Sequence, residues 1–160
     1  MKILTFAAVA ALMPVAALAH DGMHINDAYA RSTNPKVGAV FMTLENHRAV
    51  ECTLEAIATD AAERAELHTH QDEGGIMKMV KMEDGITVPP GEAHQMNRGG
   101  EHVMLLGLAQ PLKDGDTVAL TLDFGDCGTE SAEAVVDNQR EGDAGQQDQH
   151  HHGEGEHAGH

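Results

Sequence analysis

The chain has 160 residues and a formal net charge of −16, from 26 Asp and Glu against 10 Lys and Arg. Such acidity works against binding nucleic acid or anionic lipid, and it fits solubility and attraction to cations; an acidic solvated surface accounts for most of it. Aromatic residues make up 2% and tryptophan is absent, so a core must come from Val, Leu, Ile, Ala and Met.

The chain opens as a secretory signal. Lys2 gives a short basic start, residues 3–18 are almost wholly apolar, and Ala17-Leu18-Ala19 is an A-x-A cleavage site. The apolar run is short and carries Pro14, which argues against a retained membrane anchor. Cleavage exposes His20 and moves the charge from −16 to −17 by removing Lys2. No Cys follows the cleavage site, which speaks against lipid attachment there. A soluble periplasmic protein is expected.

Residues 20–137 read as one domain of short strands, at 25–30, 37–46, 53–59, 65–70, 77–82, 86–88, 93–97, 102–106, 117–124 and 132–136. Turn signals separate most of them: Asn34-Pro35, Gly74-Gly75, Asp84-Gly85, Pro89-Pro90-Gly91, Gly99-Gly100 and Asp114-Gly115. That spacing predicts an all-β fold, an antiparallel sandwich or barrel. Residues 138–160 contain no Val, Leu, Ile, Phe or Met and cannot bury a core; they are expected to be a disordered acidic, His-rich tail. Cys52 and Cys127 are the only cysteines and form no C-x-x-C. In an exported chain such a pair forms a disulfide more often than a metal site, with two free thiols as the alternative.

Chemistry concentrates in His68, Met79, His102 and Met104. Side chains alternate along a strand, so His68 and His70 share one face while Leu67 takes the other. Met77 and Met79 share a face, and so do His102, Met104 and Leu106. Paired strands would bring two imidazoles and two thioethers together. Thioether sulfur is soft and uncharged; it suits monovalent copper and binds zinc, magnesium and calcium poorly. Each residue alone has a plainer role: either Met as core, either His as surface.

With these residues the chain resembles the PCu(A)C periplasmic copper chaperones, whose pattern is H-x(10)-M-x(21)-H-x-M. ELHTHQDEGGIMKM supplies His68 and Met79, and GGEHVMLLGL supplies His102 and Met104. DAYAR from Asp27 to Arg31 and VGAVFMTLEN from Val37 to Asn46 also look like the family's. The second spacer holds 22 residues, one more than the pattern. Within a strand that residue would flip the faces beyond it; the turn at Asp84-Gly85 can absorb it. The resemblance implies a cupredoxin-like Greek-key sandwich and a Cu(I) site of His68, Met79, His102 and Met104; separately, no base, nucleophile or open-site zinc arrangement in the sequence points to catalysis. The resemblance also implies delivery by ligand exchange to the copper centre of cytochrome c oxidase subunit II, with a Sco-type protein as a further partner.

His70 stands where many members carry Met and is a competing ligand. His20, once exposed with its α-amine, offers a Cu(II) chelate, with a frayed terminus as the plainer reading. His150, His151, His152, His157 and His160 form a tail tract suited to Cu(II). His94-Gln95-Met96 mimics a ligand pair but falls at apolar positions of the family, so Met96 is expected in the core. A monomeric copper chaperone is the expectation. A periplasmic copper buffer without a delivery partner is the alternative. A copper enzyme built on His20 would need an oxidant or substrate site that the sequence does not display.

Overall fold

The computed structural model describes residues 21–141. The signal segment, His20 and the tail histidines His150, His151, His152, His157 and His160 lie outside the described residues.

Eleven strands follow one another: β1 Met23–Asn34, β2 Val37–Asn46, β3 Cys52–Leu54, β4 Ala56–Ala58, β5 Ala62–Asp72, β6 Met77–Lys81, β7 Ile86–Val88, β8 Ala93–Gln95, β9 His102–Leu108, β10 Thr117–Asp123 and β11 Thr129–Val136, with a 3-10 helix at Gly125–Cys127. The main sheet runs β4-β10-β11-β1-β2-β9-β5-β6, β8 also pairs with β2, and β3 pairs with β7 apart from it. β4 at one end of this path and β5 and β6 at the other line a common groove, so the sheet curls around its core.

The alternation expected of half-buried strands is clearest in β10. There Val118, Leu120 and Leu122 point inward between exposed neighbours. They share one core with Val40, Leu44 and Leu105. Met23, Met42 and Met96 are each 2% exposed and fill this aromatic-poor interior, Met96 as expected.

Two departures from the strand pattern have physical causes. Stretch 53–59 is not one strand. Cys52–Leu54 pairs with β7 and Ala56–Ala58 with β10, and the Glu55 N–H donates to the Asp123 carbonyl at 2.9 Å between them. Hydrophobic periodicity reports burial but not the partner strand, so a change of sheet in mid-run is invisible to it. Nor is the sheet wholly antiparallel: β1 and β11 run parallel, with Tyr29 opposite Val135.

Cys52 and Cys127 are bridged, joining the start of β3 to the 3-10 helix across 75 residues of sequence. Beyond β11 the chain stays attached. Asn138 accepts from Arg31 through its carbonyl and from the Ser32 N–H through Oδ1, both at 2.8 Å. Arg140 donates to Asp27 at 2.5 Å and lies 4.0 Å over the Tyr29 ring. Ordered contacts thus continue past the domain edge read at residue 137.

Candidate metal centre

β5 lies between β6 and β9, and the register of these three strands decides what shares a face. Across β5 and β9, His68 pairs with His102 and Glu66 with Met104. Across β5 and β6, His70 pairs with Met79 and His68 with Lys81. Directly opposed residues in antiparallel strands project to the same side. Leu67, Val103 and Leu105 therefore turn into the core, at 5%, 0% and 0% exposure. His68, His70, Met79, His102 and Met104 all project from the other face. His68 sits mid-pattern: His102 is its direct neighbour, and Met79 and Met104 lie one step away on diagonals. The extra residue of the second spacer has not flipped this arrangement.

Above these strands is a cavity of about 510 Å³ whose lining includes His70, Met79, His102, Met104, Arg31 and Arg98. His68 does not line it. Its Nε2 lies 3.1 Å from Glu66 Oε2, and its buried Nδ1 has no hydrogen-bond partner among the described residues. Sequence spacing singles out His68, whereas the cavity opens on His70. The two rings lie 6.1 Å and 5.5 Å from His102, centroid to centroid.

The Gly100 carbonyl orients two imidazoles. His70 Nδ1 lies 3.4 Å from it and His102 Nδ1 3.2 Å. In the tautomer that donates Nδ1–H to this oxygen, each ring keeps the Nε2 lone pair for a ligand. Burial lowers the pKa of His102 from the ordinary 6.5, and the neighbouring His70 and His68 add to this, while the Gly100 hydrogen bond opposes it. His102 is thereby held neutral, the form that ligates. Glu66 is lowered from 4.5, first by its hydrogen bond to His68 and against desolvation, with Lys81 and Arg64 assisting.

Among the described residues no three His, Cys, Asp or Glu groups are placed to hold a metal. Met79 and Met104 add two thioether sulfurs to the imidazoles of this face, a donor type that suits a soft ion. The set runs from a buried floor to an open rim, with His102 2% and Met79 45% exposed. Arg98 and Gly100, from the turn before β9, and Phe41, from β2, carried no ligand-type signal in the sequence; only the tertiary fold brings them here. Elsewhere, His47, just past the end of β2, lies beside Glu45 at 3.2 Å and packs on His24 with ring centroids 4.4 Å apart.

Residues 23–136 match the model of the family described as "Putative lipoprotein LpqE-like". The chain belongs to the LpqE-like family. "Putative lipoprotein Lxx21020" of Leifsonia xyli subsp. xyli is 29% identical over 109 residues, covering 68% of this chain and 66% of that relative, just under two thirds of its length. Among solved structures, CuI-DR1885 from Deinococcus radiodurans is 30% identical at a TM-score of 0.56, covering 76% of this chain and 84% of its own. Its apo form is 30% identical at 0.55, covering 85% and 94%. The copper-bound PCuAC domain from PmoF2 superposes at 0.58 and is 20% identical over 72% of this chain and 92% of that one, a likeness of fold. This LpqE-like chain thus has the cupredoxin-like β architecture of PCuAC domains. Both of its cysteines are taken up in the bridge, and no helix among the described residues is long and apolar enough to cross a membrane.

Proposed function

We propose that the protein is a periplasmic copper chaperone that carries Cu(I) on His68, Met79, His102 and Met104 and passes it on by ligand exchange. One observation carries this reading: two thioethers and two imidazoles share one face of three adjacent strands beside an open cavity. His68 takes part by turning from Glu66 toward the diagonals that hold Met79 and Met104. His70, already facing the cavity, is a reserve nitrogen donor. Neutral thioethers carry the ion, and thiolates of a recipient then displace them, starting at the exposed Met79. Copper-bound relatives of the same fold support the cargo. The recipient in this proposal is the copper centre of cytochrome c oxidase subunit II, with a Sco-type protein as a second partner. The tail histidines supply a separate nitrogen-rich Cu(II) site.

X-ray absorption of the Cu(I)-loaded protein tests the site and should show sulfur and nitrogen shells together. Met79→Ala, Met104→Ala and His68→Ala should each weaken Cu(I) by about tenfold or more and leave Zn(II) nearly unchanged, with His70→Ala milder. A spectrum without a sulfur shell sinks the assignment. A deletion strain with normal oxidase activity would sink the delivery role.

A further inference from the structure

We infer that the ligand-bearing face docks against an acidic surface of the copper-accepting protein, with Arg31 and Arg98 receiving its carboxylates. The inference rests on the copper-carrier reading and adds the chemistry of the partner.

The chain carries a net charge of −16, yet the cavity beside the ligands is lined by two arginines and by no Asp or Glu. Two nearby carboxylates are already engaged, Glu66 by His68 and Arg64 and Glu73 by Lys78, and Glu101 lies outside the cavity lining, 3.6 Å from His94. The same holds for the lysines of β6, since Lys81 lies 3.3 Å from Glu83, so they are not counted as docking charges. Arg31 spends one amino group on the Asn138 carbonyl, and its Nε is buried with no partner. Neither Arg31 nor Arg98 forms an ion pair with a carboxylate among the described residues.

The surroundings of the cavity are those of a contact surface. Ile76, Met77 and Met79 are 64%, 58% and 45% exposed, three of the five large apolar side chains left exposed among the described residues. They fall within four residues at the tip and start of β6, the last strand of the sheet path. Singly such residues are ordinary, but clustered beside a cavity they mark an interaction site. An acidic partner is repelled by most of this molecule and drawn to one face, which orients the encounter so that the accepting thiolates meet Met79.

The test uses the full mature protein loaded with Cu(I) and three synthetic Cys-x-x-Cys peptides flanked by Glu, Ser or Lys. Transfer rates are followed by stopped flow at about 20 mM and about 500 mM salt, a range over which screening shortens from about 20 Å to a few Å. The Glu-flanked peptide should receive copper at least about fivefold faster than the Lys-flanked one at low salt, with the gap closing at high salt. Arg98→Glu should reverse the order, and the Ser-flanked peptide should respond little to either change. A faster Lys-flanked peptide, as the net charge alone dictates, overturns the proposal, as does an Arg98→Glu variant that behaves like wild type. If truncation after Glu141 speeds transfer to the Glu-flanked peptide, the chain's own acidic end occupies the face, and the proposal also falls. Failure to load Cu(I), read beforehand from stoichiometry, defeats the copper reading itself.

Discussion

His102 combines the deepest burial of the candidate ligands with a charge state set by that burial. Its pKa lies below the ordinary 6.5 in the folded protein, so the unfolded chain takes up this proton at a higher pH than the folded one. Stability from this group is full above the unfolded value and is lost as pH falls from about 6.5 toward the folded value. Glu66 is lowered from 4.5 and acts in the same direction further down. Its contribution is present above 4.5 and lost as pH falls through the folded value. Urea unfolding of the apo protein should therefore show stability falling from about pH 7 downward in two overlapping stages, and His102→Gln should flatten the upper one. An unchanged upper stage in that variant would show that His102 protonates as readily in the folded chain. At this scale the sequence pointed to imidazole and thioether side chains, and strand register puts them on one face. Which β5 imidazole faces the cavity depends on the Glu66 carboxylate two residues away and the Gly100 carbonyl across the strand, and no spacing rule encodes either.

Among the elements, the turn from β6 to β7 has the narrowest tolerance. Gly85 has φ +73, and a Cβ placed there would lie 2.3 Å from the Leu54 carbonyl oxygen. That carbonyl belongs to the strand paired with β7, Leu54 opposite Ile86. Gly85→Ala should cost about 2–4 kcal/mol through backbone strain and displacement of β3, measured by denaturant unfolding. A loss below about 0.5 kcal/mol would mean that the turn relaxes freely. The Asp84-Gly85 signal was readable because glycine tolerates positive φ. The division of 53–59 into β3 and β4 was not, because both halves alternate alike and differ only in their partners. β5 runs to 11 residues, beyond the 65–70 stretch, because pairing with β9 and β6 holds polar ends that have little strand pattern of their own.

For the whole molecule, closure depends on contacts between distant parts of the chain. The Cys52–Cys127 bridge spans 75 residues, and breaking it by Cys127→Ser should cost roughly 2–4 kcal/mol in the chain-entropy picture, read as a lower melting temperature. Equal melting temperatures with and without reductant would contradict this. At the other end, Asn138 and Arg140 fasten the chain to β1 beside Tyr29, whose ring stacks on Phe41 at 5.1 Å. Truncation after Asp137 should melt a few degrees below truncation after Glu141, since it alone removes these hydrogen bonds and the cation–π contact. Identical melting curves would show that the fastening adds nothing.

The sequence by itself determined the fold class, the turns, and the one face that the imidazole and thioether side chains share. Strand periodicity and side-chain chemistry are local properties that twenty or so residues can express. Tertiary structure decided the rest: the parallel β1–β11 pair, the change of sheet at Glu55, the turning of His68 toward Glu66, and the meeting of Arg31, Arg98 and the Gly100 carbonyl around the candidate ligands. These depend on which distant segments become neighbours, and that follows from the packing of the whole chain around one core.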